Sequence, residues 1–382
     1  MKVGVTSWFC NISEWIDRIQ PGDFEKPYPI TDTQQYEREL YLADLVEPLG
    51  FDSFWTIEHH FSPYGMTGNP TQVLTYMAGR TKRIDLGSMV LVLPWHDPLK
   101  LAENISLLDN LMGGRQFQIG MGRGFAAREY NTMGIDYSTS RERLLEVLEI
   151  VRLALTEEYF SFEGEFFQIP RTCIRPRPRT ADLTKQMMMA WASADSLAMA
   201  ARAGLSPLFT NLNGFDQLRD GISTFNQIRE ENGWAPTTSS VGVTVFCHED
   251  QEYAHEYATK YWRIMSGQTI WHYDHLGRPD WLSDTPAEER EALIDKAYEE
   301  QSAAGIFGTP EYVIEKIREV QAAGNIAQLI TLHSFGDMPR DDVERSMRLF
   351  AKEVLPVIQE IPTPEPEAIP YNEWRRAVSA AR

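Results

Sequence analysis

Residues 83–124 read RIDLGSMVLVLPWHDPLKLAENISLLDNLMGGRQFQIGMGRG. The run 83–93 is strongly apolar, with Val, Ile, Leu and Met, and stops at Pro94, which predicts a buried strand. Residues 99–111 are amphipathic at helical spacing and end at Gly113-Gly114. Residues 116–121 return to a strand. A strand, a crossover helix and a second strand make a βαβ unit, and such a crossover holds its two strands parallel.

The alternation extends in both directions. Upstream, 2–8 and 51–57 read as strands, 70–79 as a helix, and 33–50 as a helix with apolar Leu40, Leu42, Ala43, Leu45, Val46 and Leu49 and a glycine stop. Downstream, 186–192, 205–210, 239–247 and 328–333 read as strands, and 140–155, 195–204, 214–233, 249–264 and 341–359 as helices. Ser140 is the expected cap of its helix. Thr309-Pro310 opens another, with Thr309 as cap and Pro310 in the first turn.

Two stretches break the pattern. Residues 159–170, YFSFEGEFFQIP, predict a hairpin about Glu163-Gly164. Residues 265–300 carry Trp271 and Trp281 and fit no barrel unit. They predict an insertion made of a loop and a helix from Pro286, and a candidate lid. Eight strand–helix units imply an α/β fold closed into a (β/α)8 TIM barrel. The expected organisation is a single domain over 1–361 followed by a non-globular arm over 362–382, where PTPEPEAIP begins.

Composition narrows the partners. The 382 residues are 43% hydrophobic and 24% charged, ordinary for a globular chain. The charge of 36 − 55 = −19 argues against nucleic acid or an anionic membrane as partner, because the net field repels phosphate. Cys10, Cys173 and Cys247 are widely spaced with no CxxC, which suits a reducing cytoplasm and argues against structural zinc. The start MKVGVTSWF reads as a first strand, not a signal peptide, and no run reaches the roughly 20 apolar residues a membrane helix needs.

In such barrels chemistry sits at the C-terminal ends of the strands. The unusual residues fall there: Glu58-His59-His60-Phe61, Pro94-Trp95-His96, Gly120-Met121-Gly122-Arg123-Gly124 and Trp191-Ala192-Ser193. The two adjacent histidines point to opposite faces of an extended segment, and no HExxH spacing exists, so no metal site is expected. A histidine here suits proton work because its charge changes near neutral pH. The glycine run departs from the dinucleotide fingerprint, with Phe125 at its sixth position and the fourth strand as its setting. Arg123 among glycines, Arg141 at a helix start, and Ser193 and Ser196 opening the helix after the fifth strand read together as a phosphate cradle. Surface salt bridges and ordinary helix caps are the alternative for each of them singly.

These stretches resemble the bacterial luciferase-like flavin monooxygenases, the family of the luciferase α subunit and of limonene-type monooxygenases. The matching segments are FDSFWTIEHHFSPYGMTGNP (51–70), LVLPWHDPLKLAENISLLDNLMGGRQFQIGMGRGF (91–125), Ser140-Arg141, WASADS (191–196), GTPEYVIEKI (308–317) and RSMRLFAKEVLP (345–356). The resemblance implies a two-component enzyme that takes reduced FMN from a separate flavin reductase. With O2 it forms a flavin C4a-hydroperoxide that oxygenates a small apolar substrate. It also implies a homodimer. By position, Arg123, Arg141, Ser193 and Ser196 match the phosphate-binding set and His59 the catalytic histidine. Met89-Val90 falls where the family has a non-proline cis peptide in a strand-three bulge beneath the flavin. Gly122, Gly124 and Ala192 complete the implied cofactor contacts. Phe61, Trp95, Phe125 and Trp191 are expected to wall the substrate pocket, and Glu58 and His60 to orient His59 or face the core. Luciferase's reactive cysteine is replaced by Gly122 and a carboxylate near its strand-five serine by Ala192. Gly122 is thus expected to leave space above the flavin, which argues against light emission. A deazaflavin-dependent oxidoreductase and a non-catalytic flavin-binding subunit are the alternatives within the same superfamily.

Overall fold

The computed structural model describes residues 1–191, 193–210, 215–273, 286–302, 305–324 and 326–363. Its strands are β1 (Lys2–Ser7), β2 (Ser53–Thr56), β3 (Asp85–Val92), β4 (Phe117–Gly122), β5 (Phe160–Glu163), β6 (Gln168–Thr172), β7 (Met187–Ala190), β8 (Ser206–Thr210), β9 (Ser239–Cys247), β10 (Gly305–Gly308) and β11 (Ile326–Leu332). The order β9-β11-β1-β2-β3-β4-β7-β8, with β8 paired back to β9, closes a parallel eight-stranded barrel wrapped by helices. β5 and β6 form the expected antiparallel hairpin outside it.

β10 was not expected from the sequence. Thr244 pairs with Leu332 on one side and Gly305 on the other, so β10 carries on the row beyond the point where β8 stops. Four residues give too short a pattern for a strand to be read from periodicity. The predicted insertion is corrected over its first part. Its residues 265–273 continue the helix Gln251–Tyr273, with Met265, Ile270, Trp271 and His272 buried. Gly267, Thr269 and Ile270 are weak helix formers, and burial overrides propensity there. Residues 274–285 and most of the 362–382 arm (from residue 364) lie outside the described residues.

Other boundaries shift for local reasons. The first long helix ends at Asp44 rather than running to 50, and the Glu47 carboxylate beyond it accepts the N–H groups of Lys82, Arg83 and Ile84. Ser140 is the first residue of its helix, with Thr139 as cap and the Ser140 hydroxyl turned to Arg123. A short helix, Ala127–Met133, follows β4 and was not anticipated.

Alternation along the strands separates two cores. Val3, Val5, Leu86, Phe117, Ile119, Val241 and Val243 pack outward under the helices. Trp55, Met89, Met188, Leu208 and Ile330 fill the barrel interior, with Val90 against them. Trp55 is fully buried, and its indole N–H donates to Ser53 Oγ at 2.8 Å. The bulky ring fits because glycines face it. A Cβ on Gly87 would lie 2.3 Å from the ring, and one on Gly4 2.8 Å from its Nε1.

The rims of β2 and β3 are tied by a buried carboxylate. Glu58 accepts the Val92 N–H at 2.7 Å and faces His60 Nε2 at 3.2 Å and His96 Nε2 at 2.9 Å. Burial alone would raise the Glu58 carboxyl, but the charge of His96 and the bonds from His60, His96 and Val92 outweigh it and leave it lowered. Burial likewise opposes the charged form of His96, yet Glu58 leaves that imidazole raised above its usual value.

Two predictions test this packing. Gly87→Ala should lower the unfolding free energy by about 1–3 kcal/mol, the usual scale of overpacking a rigid core. An unchanged denaturation midpoint would show slack around Trp55. Glu58→Gln should cost about 3–5 kcal/mol, the scale of breaking a buried pair. A raised histidine contributes stability that is present below its unfolded pKa near 6.5 and lost as pH rises through the folded value. The deficit of the variant in urea titrations should therefore be larger at pH 6 than at pH 9.

Candidate active site

His59 and His60 leave the end of β2 on opposite sides, as an extended backbone requires. His60 faces Glu58 and stands edge-on to Trp95, with ring centroids 5.4 Å apart. It does not orient His59 through its side chain. Its backbone N–H donates to Glu129 Oε1 at 2.6 Å instead. His59 Nδ1 lies 3.2 Å from the same Glu129 oxygen and 3.0 Å from His272 Nε2. His59 Nε2 is 3.3 Å from the Tyr273 hydroxyl, and His272 Nδ1 is 2.8 Å from Ser62 Oγ.

The electrostatics of this cluster are set by burial and by the groups that face one another within it. Glu129 and His272 are fully buried. Burial pushes the Glu129 carboxyl up, but the imidazoles of His272 and His59 that face it prevail and hold it at about 2. Burial, then the neighbouring His59, brings His272 down to about 4 against the pull of Glu129. Near neutral pH the cluster thus pairs an ionised Glu129 with a neutral His272. Burial, then Tyr64 and Glu129, raises the Tyr273 phenol well above its ordinary value.

The four cradle residues sit along one chain of contacts. Arg123 Nη1 is 3.3 Å from Ser140 Oγ, and the guanidinium lies 4.8 Å above the Tyr137 ring. Arg141, the next residue of that helix, meets Asp195 at 2.9 Å. Asp195 lies in the first turn of the helix Ala194–Arg202, capped by Ser193, whose hydroxyl accepts the Ser196 N–H while Ser196 Oγ accepts the Ser193 N–H. The serines are therefore a capping box, and two guanidinium groups stand beside a helix N-terminus. Asp195 is 70% exposed on its side chain, so its hold on Arg141 is weak and open to replacement by a stronger anion.

The ring side of the site is apolar. Met89-Val90 is a cis peptide, and the β3–β4 register shifts between Ser88 and Leu91, so the bulge lies where the resemblance implied it. Gly122 does not leave the expected space. A Cβ there would come within 2.7 Å of Val90 Cγ2, because the Val90 side chain already fills that volume. Gly124 has φ +67°, and a Cβ on it would meet Val92 and Trp95, so the strand exit itself requires glycine.

Three of the four expected wall residues stand near this rim. Phe61 is 56% and Phe125 39% exposed, and Trp95 packs between His60 and Tyr130. Trp191 is a correction. Its ring lies against Gly221 of the helix Phe215–Glu231 and against Phe209, inside the outer core, because it continues the outward-facing row of Met187 and Met189. Ala192 falls outside the described residues. Sequence reasoning missed Glu129, His272, Tyr273 and Asp195. The first three lie 70, 213 and 214 residues from His59, and only Glu129 had a nearby signal, the glycine–arginine motif at 120–124.

Comparison with known proteins agrees with this architecture. Alkanal monooxygenase alpha chain of Photorhabdus laumondii is 24% identical over 352 residues, 88% of this chain and 96% of the relative. The crystal structure of monooxygenase RslO1 from Streptomyces bottropensis superposes with a TM-score of 0.69 at 27% identity, covering 94% of this chain and 100% of that one. The oxygenating constituent of 3,6-diketocamphane monooxygenase from Pseudomonas putida, a type II Baeyer–Villiger enzyme solved with FMN, gives 0.69 at 21%, covering 96% and 99%. A coenzyme F420-dependent tetrahydromethanopterin reductase from Methanopyrus kandleri gives 0.64 at 18%, covering 93% and 99%. The family profile described as luciferase-like monooxygenase matches residues 17–325, most of the chain, and the protein belongs to that family of flavin-dependent oxidoreductases.

Proposed function

We propose that this protein is the oxygenase of a two-component system, binding reduced FMN at the barrel rim and inserting one oxygen atom of O2 into a small apolar organic substrate. The observation that carries the reading is the convergence of Arg123, Arg141, Ser193 and Ser196 beside an apolar floor made by Met89 and Val90. Two guanidinium groups and a helix N-terminus suit a phosphate monoester, since both supply donors and positive potential. The flat floor suits an isoalloxazine ring. Reduced flavin, when bound, supplies the electrons that activate O2.

The remaining work belongs to the chain. Arg123 and Arg141 bind the phosphate, with Arg141 exchanging Asp195 for it. Gly122 and Gly124 let backbone come close to the ligand. Phe61, Trp95 and Phe125 exclude water from the mouth, which limits loss of oxygen as hydrogen peroxide. His59 manages the proton that oxygen transfer requires. No strand–GxGxxG–helix unit is present, so we assign electron supply to a separate flavin reductase and not to NAD(P)H bound here. A homodimer in the cytoplasm completes the reading.

Arg123→Ala should weaken binding of reduced FMN by about 1.5–3 kcal/mol, the scale of a hydrogen bond to a charged group, in anaerobic quenching of tryptophan fluorescence. Riboflavin, which lacks the phosphate, should hardly respond, and equal losses for the two ligands would mark Arg123 as structural. His59→Ala should keep FMN binding and lower product yield by about 10²–10⁴-fold, the usual span for a lost acid or base. The reducing equivalents should then appear as hydrogen peroxide in a peroxidase-coupled assay. Normal coupling in His59→Ala together with loss of turnover in His60→Ala would transfer the role to His60.

A further inference from the structure

Three atoms of ligand type converge where β2 ends. His59 Nδ1 is 3.0 Å from His272 Nε2 and 3.2 Å from Glu129 Oε1, and Glu129 Oε1 is 3.6 Å from His272 Nε2. The far nitrogen of each ring is matched by a hydroxyl oxygen. His272 Nδ1 has Ser62 Oγ at 2.8 Å. His59 Nε2 has the Tyr273 oxygen at 3.3 Å, and that hydroxyl gives its own proton to the Tyr64 hydroxyl. Each ring therefore has an oxygen to take an N–H on its far side. With those N–H groups in place, two ring lone pairs and a carboxylate oxygen face one another, and all three are acceptors. Acceptors held this close repel unless a cation lies among them.

The spacing is that of a coordination shell. An ion bonded at about 2.0–2.1 Å in tetrahedral geometry holds its ligand atoms about 3.3 Å apart. The three separations of 3.0, 3.2 and 3.6 Å bracket that value. The carboxylate also has capacity to spare. Glu129 is fully buried, and its Oε2 has no hydrogen-bond partner among the described residues. Enclosing an ionised carboxylate with one oxygen unpaired is costly, and an ion beside it offsets that cost.

We propose that His59 Nδ1, His272 Nε2 and the Glu129 carboxylate bind a divalent transition ion of the zinc type, with the fourth position open to water or a substrate oxygen. Three protein ligands and one open position are the arrangement of a catalytic zinc site and not of a structural one. Imidazole nitrogens suit zinc, copper, iron or nickel, whereas magnesium and calcium prefer oxygen. The outer contacts fit the same assignment. Ser62 and Tyr273 fix the two rings, and the His60 backbone N–H, donating to Glu129 Oε1 at 2.6 Å, fixes the carboxylate. The His59 side chain is 13% exposed while those of Glu129 and His272 are at 0%, so the His59 side is the way in. The adjacent histidines still do not share an ion. His60 turns to Glu58, and the second imidazole comes from the long helix, 213 residues away.

The inference stands independently of the oxygenase reading and alters one part of it. A zinc-type ion lowers the pKa of its bound water to about 7. The proton assigned to His59 then passes through that water, with His59 as a ligand. Loss of coupling in His59→Ala is expected on either account, so only the ion itself distinguishes them.

The test is cobalt titration of the full chain after dialysis against a chelator, read by visible absorption. One Co2+ per chain should bind with the intense bands of a four-coordinate ion, be displaced by Zn2+ and be unaffected by Mg2+. Glu129→Gln and His272→Gln, checked for folding by circular dichroism, should each weaken binding by more than about 100-fold. Ser62→Ala removes only an outer contact and should weaken it by about 10–100-fold. Folded wild-type protein that takes up neither Co2+ nor Zn2+ overturns the proposal and leaves a hydrogen-bonded cluster. Binding unchanged in both ligand variants overturns it as well, because the ion is then held elsewhere. Quenching of tryptophan fluorescence by reduced FMN is measured on the same preparation. Failure there with cobalt bound would overturn the oxygenase reading alone, and FMN binding without any metal uptake would overturn the metal site alone.

Discussion

The Glu129 carboxylate is fully enclosed, and the effective cost of burying an ion is several kcal/mol unless polar partners replace its water. The groups that face it come from two separate places: the His60 backbone and His59 ring at the end of β2, and His272 on the long helix. One anion thus fixes where the short helix after β4, the rim of β2 and the end of the helix Gln251–Tyr273 meet. Burial, and not this anion, keeps His272 neutral, since Glu129 pulls its imidazole the other way. Removing the charge would loosen these elements together.

The barrel beneath supplies a rigid mount. Trp55 fills the interior because β1 and β3 offer glycine at the facing positions, and Met89, Met188, Leu208 and Ile330 close the remaining volume. The packed interior carries the Met89-Val90 bulge above it, and Val90 in turn takes the space beside Gly122. The space beside Gly122 is therefore set by a strand-three side chain, not by the missing side chain of strand four. A second buried carboxylate, Glu58, joins the β2 and β3 rims from the other face of the same segment. Alternation along Glu58, His59 and His60 puts the clamp on one face and the His59 ring on the other.

The proposed cradle shows how positive charge can gather on an acidic protein. The overall charge is −19, yet Arg123 and Arg141 gather at two helix starts with a capped helix N-terminus beside them. Local geometry outweighs a distant net field because exposed charges more than about 10 Å apart are screened at ordinary salt. Asp195 pairs with Arg141 while remaining mostly in water, so the pair costs little to part, as the proposed phosphate site would require.

Much of this was written in adjacent residues. Strands buried on both faces leave continuous apolar runs, the helices between them leave amphipathic ones, and eight such pairs predict closure. Gly120 to Gly124, Ser140-Arg141 and Ser193 to Ser196 each announce a turn or a helix start from a few neighbouring side chains, so the cradle could be read locally. The elements that escaped had weak local signals: four residues in β10, and a buried helix end containing Gly267 and Thr269 whose stability comes from what surrounds it. Trp191 escaped for a different reason, since a strand end announces that a tryptophan is present but not which core receives it. The sequence by itself determined the barrel and placed His59 among the residues of its rim. Tertiary structure alone decided what surrounds His59, because Glu129, His272 and Tyr273 approach it from 70, 213 and 214 residues away. Burial favours the neutral forms of His272 and Tyr273, and the facing imidazoles hold Glu129 ionised against it; neither effect exists until the chain has closed around the cluster.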